Sequence, residues 1–221
     1  MDSKLDWSTM LAIHGALRRD LEQVARIAGQ KDRGDGTRLR ASLGWEQFKK
    51  FLVAHHQVED DALWPVLRVH VVDFPDQVAV VDALEAEHAV IEPLLEAVDN
   101  VAADPHDGDH RFGDIVDELV TKLTGHLVHE ESEGRDLIDA TLSAEEWQNF
   151  ARSHGQRLLG DASTYVPWLL EGASPETVEG FLANIPPPLA ASYRGQWAPT
   201  YAGMHHWDST DLRAPAGTRH D

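Results

Sequence analysis

At 221 residues the chain is long enough to bury one large hydrophobic core and still carry an appendage. Its 38 acidic and 19 basic residues give a formal charge of −19, a field that repels phosphate backbones and anionic lipid and sets nucleic acid and membrane surfaces aside as partners. No cysteine is present, which removes disulfides, thiolate ligands, iron–sulfur clusters and a cysteine nucleophile, and leaves histidine and carboxylate as the strong metal ligands.

The opening MDSKLDWSTM lacks the basic flank and apolar run of a secretion signal, and no stretch approaches the roughly twenty apolar residues of a membrane span, so a cytoplasmic protein is expected. From Trp7 the apolar residues fall at 7, 10, 14, 17, 21, 24 and 28, one seam down a first helix, with His14 on it. Gly29 and the polar run that follows close that helix. A second helix is expected from about Leu39 to Val71, its seam passing through Trp45, Phe48, Leu52, His55, Glu59, Ala62 and Val66. His56 and Asp60 lie one step round from it.

Asp73-Phe74-Pro75-Asp76 reads as a break, with Asp76 as N-cap of the third helix. That helix carries Val81, Leu84, His88, Ile91, Leu95 and Val98 on its seam, and Pro93 inside it predicts a kink just after His88. After the loop ADPHDGDHR, a fourth helix aligns Phe112, Val116, Leu119, Leu123, His126, Glu130 and Leu137. The expected fold is all-α, an up-down-up-down four-helix bundle over residues 6–142, with a pseudo-twofold relating its hairpins.

Beyond 142 a helical C-terminal extension (143–208) is expected to pack on the bundle. Ser143 and Glu146 form a capping box for a helix running through Trp147, Phe150 and Leu158 towards Trp168. Ser174-Pro175 opens a short helix to about Asn184, and Pro186-Pro187-Pro188 precedes an aromatic segment with Tyr193, Trp197, Tyr201 and Trp207. Residues 209–221 read as a disordered tail.

The two hairpins repeat one pattern. His14 precedes His55 and Glu59 by 41 and 45 positions, and His88 precedes His126 and Glu130 by 38 and 42. Residues four apart on a helix stand about 40° round and one turn up, so each HxxxE presents a nitrogen and a carboxylate to one place. For any single histidine an ordinary helical position is the simpler account. Histidine is 13 of 221 residues, so about thirty seam positions would hold one or two by chance; here there are four, one per helix, two followed by a seam glutamate.

Two buried carboxylates demand cations, and His14, His55, Glu59, His88, His126 and Glu130 form a ligand set for a carboxylate-bridged pair of transition-metal ions. With both glutamates and an oxo or hydroxo group as bridges, two imidazoles fall to each ion, leaving each about five-coordinate with room for a further ligand. Such a site accepts iron, manganese or zinc.

The remaining candidates sit less well. Glu131 lies about 140° round from His126 and ranks behind Glu130, while Glu92 could join His88 if Pro93 turned it inward. His56 and His129 are expected to be exposed or to stand behind the ligands, and His154 to be a satisfied core histidine.

These residues, and the strings HHQVEDDALWPVL, EHAVIEPLL and HLVHEE, resemble the hemerythrin-like, or HHE cation-binding, family over about residues 8–140. The resemblance implies a non-haem di-iron centre inside the bundle, with iron cycling between ferrous and ferric states and reacting with dioxygen, hydrogen peroxide or nitric oxide. The chain departs from the respiratory oxygen carriers at two places. Leu84 stands where their third helix has another histidine, and Glu130 follows His126 by four where they have an aspartate at five. The set is closer to the HxxxE-type members, for which sensing or peroxide chemistry is suggested. Three functions follow as expectations: peroxide-consuming redox chemistry; a sensor or carrier module for dioxygen, nitric oxide or iron; and a di-iron oxidase whose aromatic C-terminal segment covers an organic substrate.

Overall fold

The computed structural model describes residues 4–29, 39–40, 42–104, 108–204 and 206–207, with the side chains of 108–110 left aside. The first interhelical loop, His106, His205 and the tail beyond Ser209 fall outside these residues. Four long helices carry the bundle: α1 (Ser8–Gly29), α2 (Leu43–Ala62), α4 (Pro75–Ala103) and α5 (Gly108–His129). They close a ring, α1 against α2, α2 against α4, α4 along α5 and α5 along α1.

The second helix is two helices. Ser42 caps α2, its hydroxyl accepting from the Trp45 N–H, so α2 begins later than Leu39. It ends at Ala62 because Pro65, with no N–H, cannot continue the ladder; α3 (Trp64–Val71) restarts with Pro65 in its first turn. The cap of α4 is Phe74, with Pro75 at the first helical position, and Asp76 falls inside the first turn. Helix α4 runs through Pro93 as one element. Ala89, the residue four before Pro93 whose carbonyl has no N–H to accept from there, is exposed.

Helix α5 continues through a π turn, Glu130–Gly134, into α6 (Arg135–Thr141). The predicted capping box is present: Ser143 accepts from the Glu146 N–H and Glu146 accepts from the Ser143 N–H, opening α7 (Ala144–Arg157). A 3-10 turn at Leu159–Asp161 separates α7 from α8 (Ala162–Leu170), where the sequence suggested one helix. Then follow α9 (Pro175–Ala183), capped by Ser174, α10 (Pro187–Ser192), a π turn at Tyr193–Trp197 and α11 (Ala198–Ala202).

The extension shares the bundle's core. Helix α7 packs on α2 and α8 on α1, and Trp168 of α8 is fully buried, its indole N–H donating to Asp20 at 2.6 Å. Burial pushes the Asp20 carboxyl up to about 6, against the pull of Arg19 and the Trp168 hydrogen bond. The π turn Tyr193–Trp197 and α11 pack on α8, and the end of the aromatic segment reaches the start of α2. The His206 carbonyl accepts from the Gly44 N–H at 2.7 Å, and a Cβ at Gly44 would collide with the Trp207 ring. Gly44 stands eleven positions before His55, about 16 Å along the helix, so Trp207 lies away from the histidines.

Inside the bundle the apolar core is divided in two. One cluster holds Ile13, Leu17, Phe51, Leu52, Ile91, Leu123 and Leu127, and extends through Trp168; the other holds Trp7, Met10, Val58, Trp64, Leu84 and Ile138. The division falls at the level of the seam histidines and glutamates, which form a polar layer between two dry ones.

Candidate metal centre

The 3.6-residue period of α1, α2, α4 and α5 turns His14, His55, Glu59, His88, His126 and Glu130 inward, and all six are buried. They meet as two sets. His14, His55, Glu59 and Glu130 bring one ligand atom each within 4.8 Å of the others, and so do His88 and His126 with a third imidazole, His56.

The nitrogens face one another. His14 Nε2 lies 3.1 Å from His55 Nε2, and His88 Nε2 lies 3.2 Å from His126 Nε2. Each glutamate reaches both sets. Glu59 places Oε1 3.3 Å from His55 Nε2 and Oε2 3.4 Å from His88 Nε2, while Glu130 Oε2 stands 3.2 Å from His14 Nε2 and 3.8 Å from His126 Nε2. Yet all four carboxylate oxygens, fully buried, make no hydrogen bond. Two donor atoms held about 2.1 Å from one ion at a right angle are about 3.0 Å apart, which is the spacing seen between the nitrogens. The residues therefore fit a pair of cations bridged by two carboxylates.

Carboxylates behind the rings fix the tautomers. Nδ1–H of His14 donates to Glu131 at 2.8 Å, that of His88 to Asp60 at 2.9 Å and that of His126 to Glu87 at 3.0 Å. Each bond leaves the Nε2 lone pair pointing into the site. Glu131 is held in turn by both terminal nitrogens of Arg18, at 2.6 and 2.9 Å, and Glu87 also accepts from His129. His55 has no such partner; its Nδ1 is unpaired beside the His154 ring, 5.7 Å away.

With protons as the only cations, the layer is strained. Burial disfavours charge on His14, but Glu130 and Glu131 outweigh it and raise its pKa to about 9. Burial, reinforced by the Glu130 charge, holds Glu59 well above the usual carboxylate range, whereas His14 and His126 overcome the same burial at Glu130 and draw it down. His55 and His56 are driven neutral, by burial first and by neighbouring imidazoles after it. A metal ion entering here competes with the proton that His14 carries between Glu130 and Glu131.

The residues off the seams take supporting places. Glu131 and Asp60 are not turned into the ligand layer but hold its imidazoles from outside, and Glu87 does the same. The carboxylate spacing alone could not show which would face a ring. Glu92 stays half-buried on the wall of a small cavity beside His88, apart from both sets. His129 is partly exposed and supports Glu87, as one of its two expected roles allows. His154 is buried as expected, but its Nε2 has no partner. His56 is wholly buried, not exposed.

The π turn begins at Glu130. The wider turn keeps Glu130 inward while bringing Gly134 to the core, where a Cβ would stand 3.2 Å from Leu84 and 3.4 Å from the Glu130 side chain. Nothing in the sequence pattern marks it.

A family model described as the hemerythrin HHE cation-binding domain matches residues 6–133. The chain belongs to this family. Neither a curated protein nor a solved structure gives a significant match. The hemerythrin HHE match begins just before α1 and ends within the π turn, spanning all six seam ligand candidates, so this is a metal-binding hemerythrin-like protein. Among the described residues no helix is long and apolar enough to cross a membrane.

Proposed function

We propose that the protein holds two iron ions, one through His14 and His55 and the other through His88 and His126, with Glu59 and Glu130 shared, and that it consumes small oxidants, hydrogen peroxide first among them. The observation that carries this is the pair of buried glutamates whose four oxygens have no hydrogen-bond donor and face imidazole nitrogens on both sides. When bound, such a pair supplies one-electron redox steps and open coordination positions for dioxygen, peroxide or nitric oxide. An oxo or hydroxo bridge would complete the set.

The chain's own residues supply orientation, dryness and access. Asp60, Glu87 and Glu131 hold three rings in the ligating tautomer. The apolar clusters above and below exclude water, Leu84 among them, fully buried where the oxygen carriers have another imidazole. One donor fewer leaves a coordination position free, which favours turnover of an oxidant over its storage. The cavity beside His88, about 300 Å³ and lined by Asp60, Glu85 and Glu92, repels anions and admits uncharged peroxide or dioxygen.

The test compares the iron-loaded protein with Leu84→His at equal iron content. The wild type is expected to consume hydrogen peroxide over many turnovers, well above free iron, and the variant to be slower because a further imidazole stands one turn before His88. No turnover, together with a stable and reversible oxygen adduct, would replace this function with carriage or sensing. One contact favours a sensor as the second reading. Asp20, less than two turns from His14 on α1, accepts from Trp168, so the state of the metal layer has a short path to the extension.

A further inference from the structure

His56 is a fully buried side chain whose two ring nitrogens both lack a protein partner. Its ring is stacked on that of His88, centroids 3.9 Å apart and planes within 5°, and stands edge-on to His126 at 5.2 Å. One nitrogen of each of the three lies within 4.8 Å of the others. A group of this kind is costly to bury unless something occupies the space it faces.

A third ligand to the same ion is the first thought, and the stacking argues against it. An imidazole lone pair lies in the ring plane, so an ion bound by His88 lies in the His88 plane and is displaced from the parallel His56 plane by nearly the stacking distance. That is too long for a metal–nitrogen bond of about 2.0–2.1 Å. It suits a hydrogen bond to an atom that is itself bound to the ion.

We propose that His56 is the hydrogen-bond donor to a small exogenous ligand on the ion held by His88 and His126, so that the centre favours ligands with a terminal acceptor atom. This rests on the two-iron reading above. Of the residues on the same side of the layer, Leu84 is aliphatic; the Trp64 indole N–H is also buried and unpaired but belongs to a ring whose centroid is 6.1 Å from that of His88, farther than the 3.9 Å of His56. The ligand class is a compact species ending in nitrogen or oxygen, of which peroxide is the reactive member and azide a convenient inert one.

Azide titration of the di-ferric protein, followed by visible absorbance and paired with metal analysis, tests this with His56→Leu and His56→Gln. Both variants are expected to keep the wild-type iron content. Azide should bind about 10- to 100-fold more weakly to His56→Leu, the loss of a hydrogen bond to a charged acceptor, and more tightly again to His56→Gln, which restores a donor. Metal-free His56→Leu should melt at or above the metal-free wild type, because it removes two unpaired buried atoms. Loss of an iron from His56→Leu would make His56 a ligand, and a lower melting temperature would make it a structural core group. Either result overturns the proposal, as do equal azide affinities or no azide binding by the iron-loaded wild type. If the wild type itself holds no iron, the two-iron reading has failed before any variant is compared.

Discussion

Alanine at Glu59 or at Glu130 is expected to strip the protein of most of its iron, whereas alanine at Asp60, Glu87 or Glu131 weakens binding without abolishing it. Glu59 and Glu130 each reach imidazoles of both sets, with distances of 3.2–3.8 Å to ring nitrogens, so losing either removes a donor to two ions at once. The outer carboxylates touch only the far nitrogen of a ring. Removing a partner of that kind costs about 10- to 100-fold in metal affinity, because the ring loses its fixed tautomer but not its lone pair. Metal analysis after dialysis against graded chelator separates the two groups of variants. Glu131→Ala emptying the protein while Glu130→Ala leaves it loaded would mean that the π turn reverses the roles of these neighbours.

Removing the metal is expected to lower the melting temperature by about 8–16 °C, the equivalent of about 4 kcal/mol for a ligand held at a thousand times its dissociation constant in a chain of this size. The cause is local. Without a metal, Glu59 is a buried carboxylate with no donor, and Glu130 has only the proton of His14, 3.2 Å away, to offset its burial. Burial and the Glu130 charge hold the Glu59 pKa above its unfolded value of 4.5, so the folded metal-free chain binds a proton that the unfolded chain gives up. The contribution of Glu59 to the stability of the metal-free protein therefore falls as pH rises above about 4.5, until its raised folded pKa is passed. Glu59→Gln removes that slope, and its metal-free form should melt above the metal-free wild type near neutral pH. Calorimetry across pH, with and without iron, reads both effects; a metal-free wild type as stable as the loaded one would contradict them.

The bundle was legible because four seams repeat at helical spacing, and each seam residue named on α5 is buried. The juxtaposition of His14 with His55, and of His88 with His126, follows from the same register. Breaks set by single residues were harder to place. Ser42 and Pro65 delimit α2 through one hydroxyl and one missing N–H, and neither disturbs the apolar period that suggested a longer helix. The sequence leaves His56 either exposed or behind the ligands for a related reason, and it is buried. One step off a seam is about 100° of rotation, which on an isolated helix means solvent, but here α4 and α5 approach closely enough for His56 to pack against His88 and His126. The partners of the rings depend on side-chain reach across helices, as Glu87 to His126 shows, and periodicity holds no record of that. The shared core of bundle and extension, through Trp168 and Asp20, is likewise a contact between residues 148 positions apart.

Iron stoichiometry of the protein reconstituted anaerobically, with Mössbauer spectra of the oxidised form, tests the central claim most directly. The account predicts about two irons per chain, magnetically coupled through a bridge, since four imidazoles and two shared glutamates suit a pair of ions. A single uncoupled iron per chain, unchanged by further reconstitution, would contradict it.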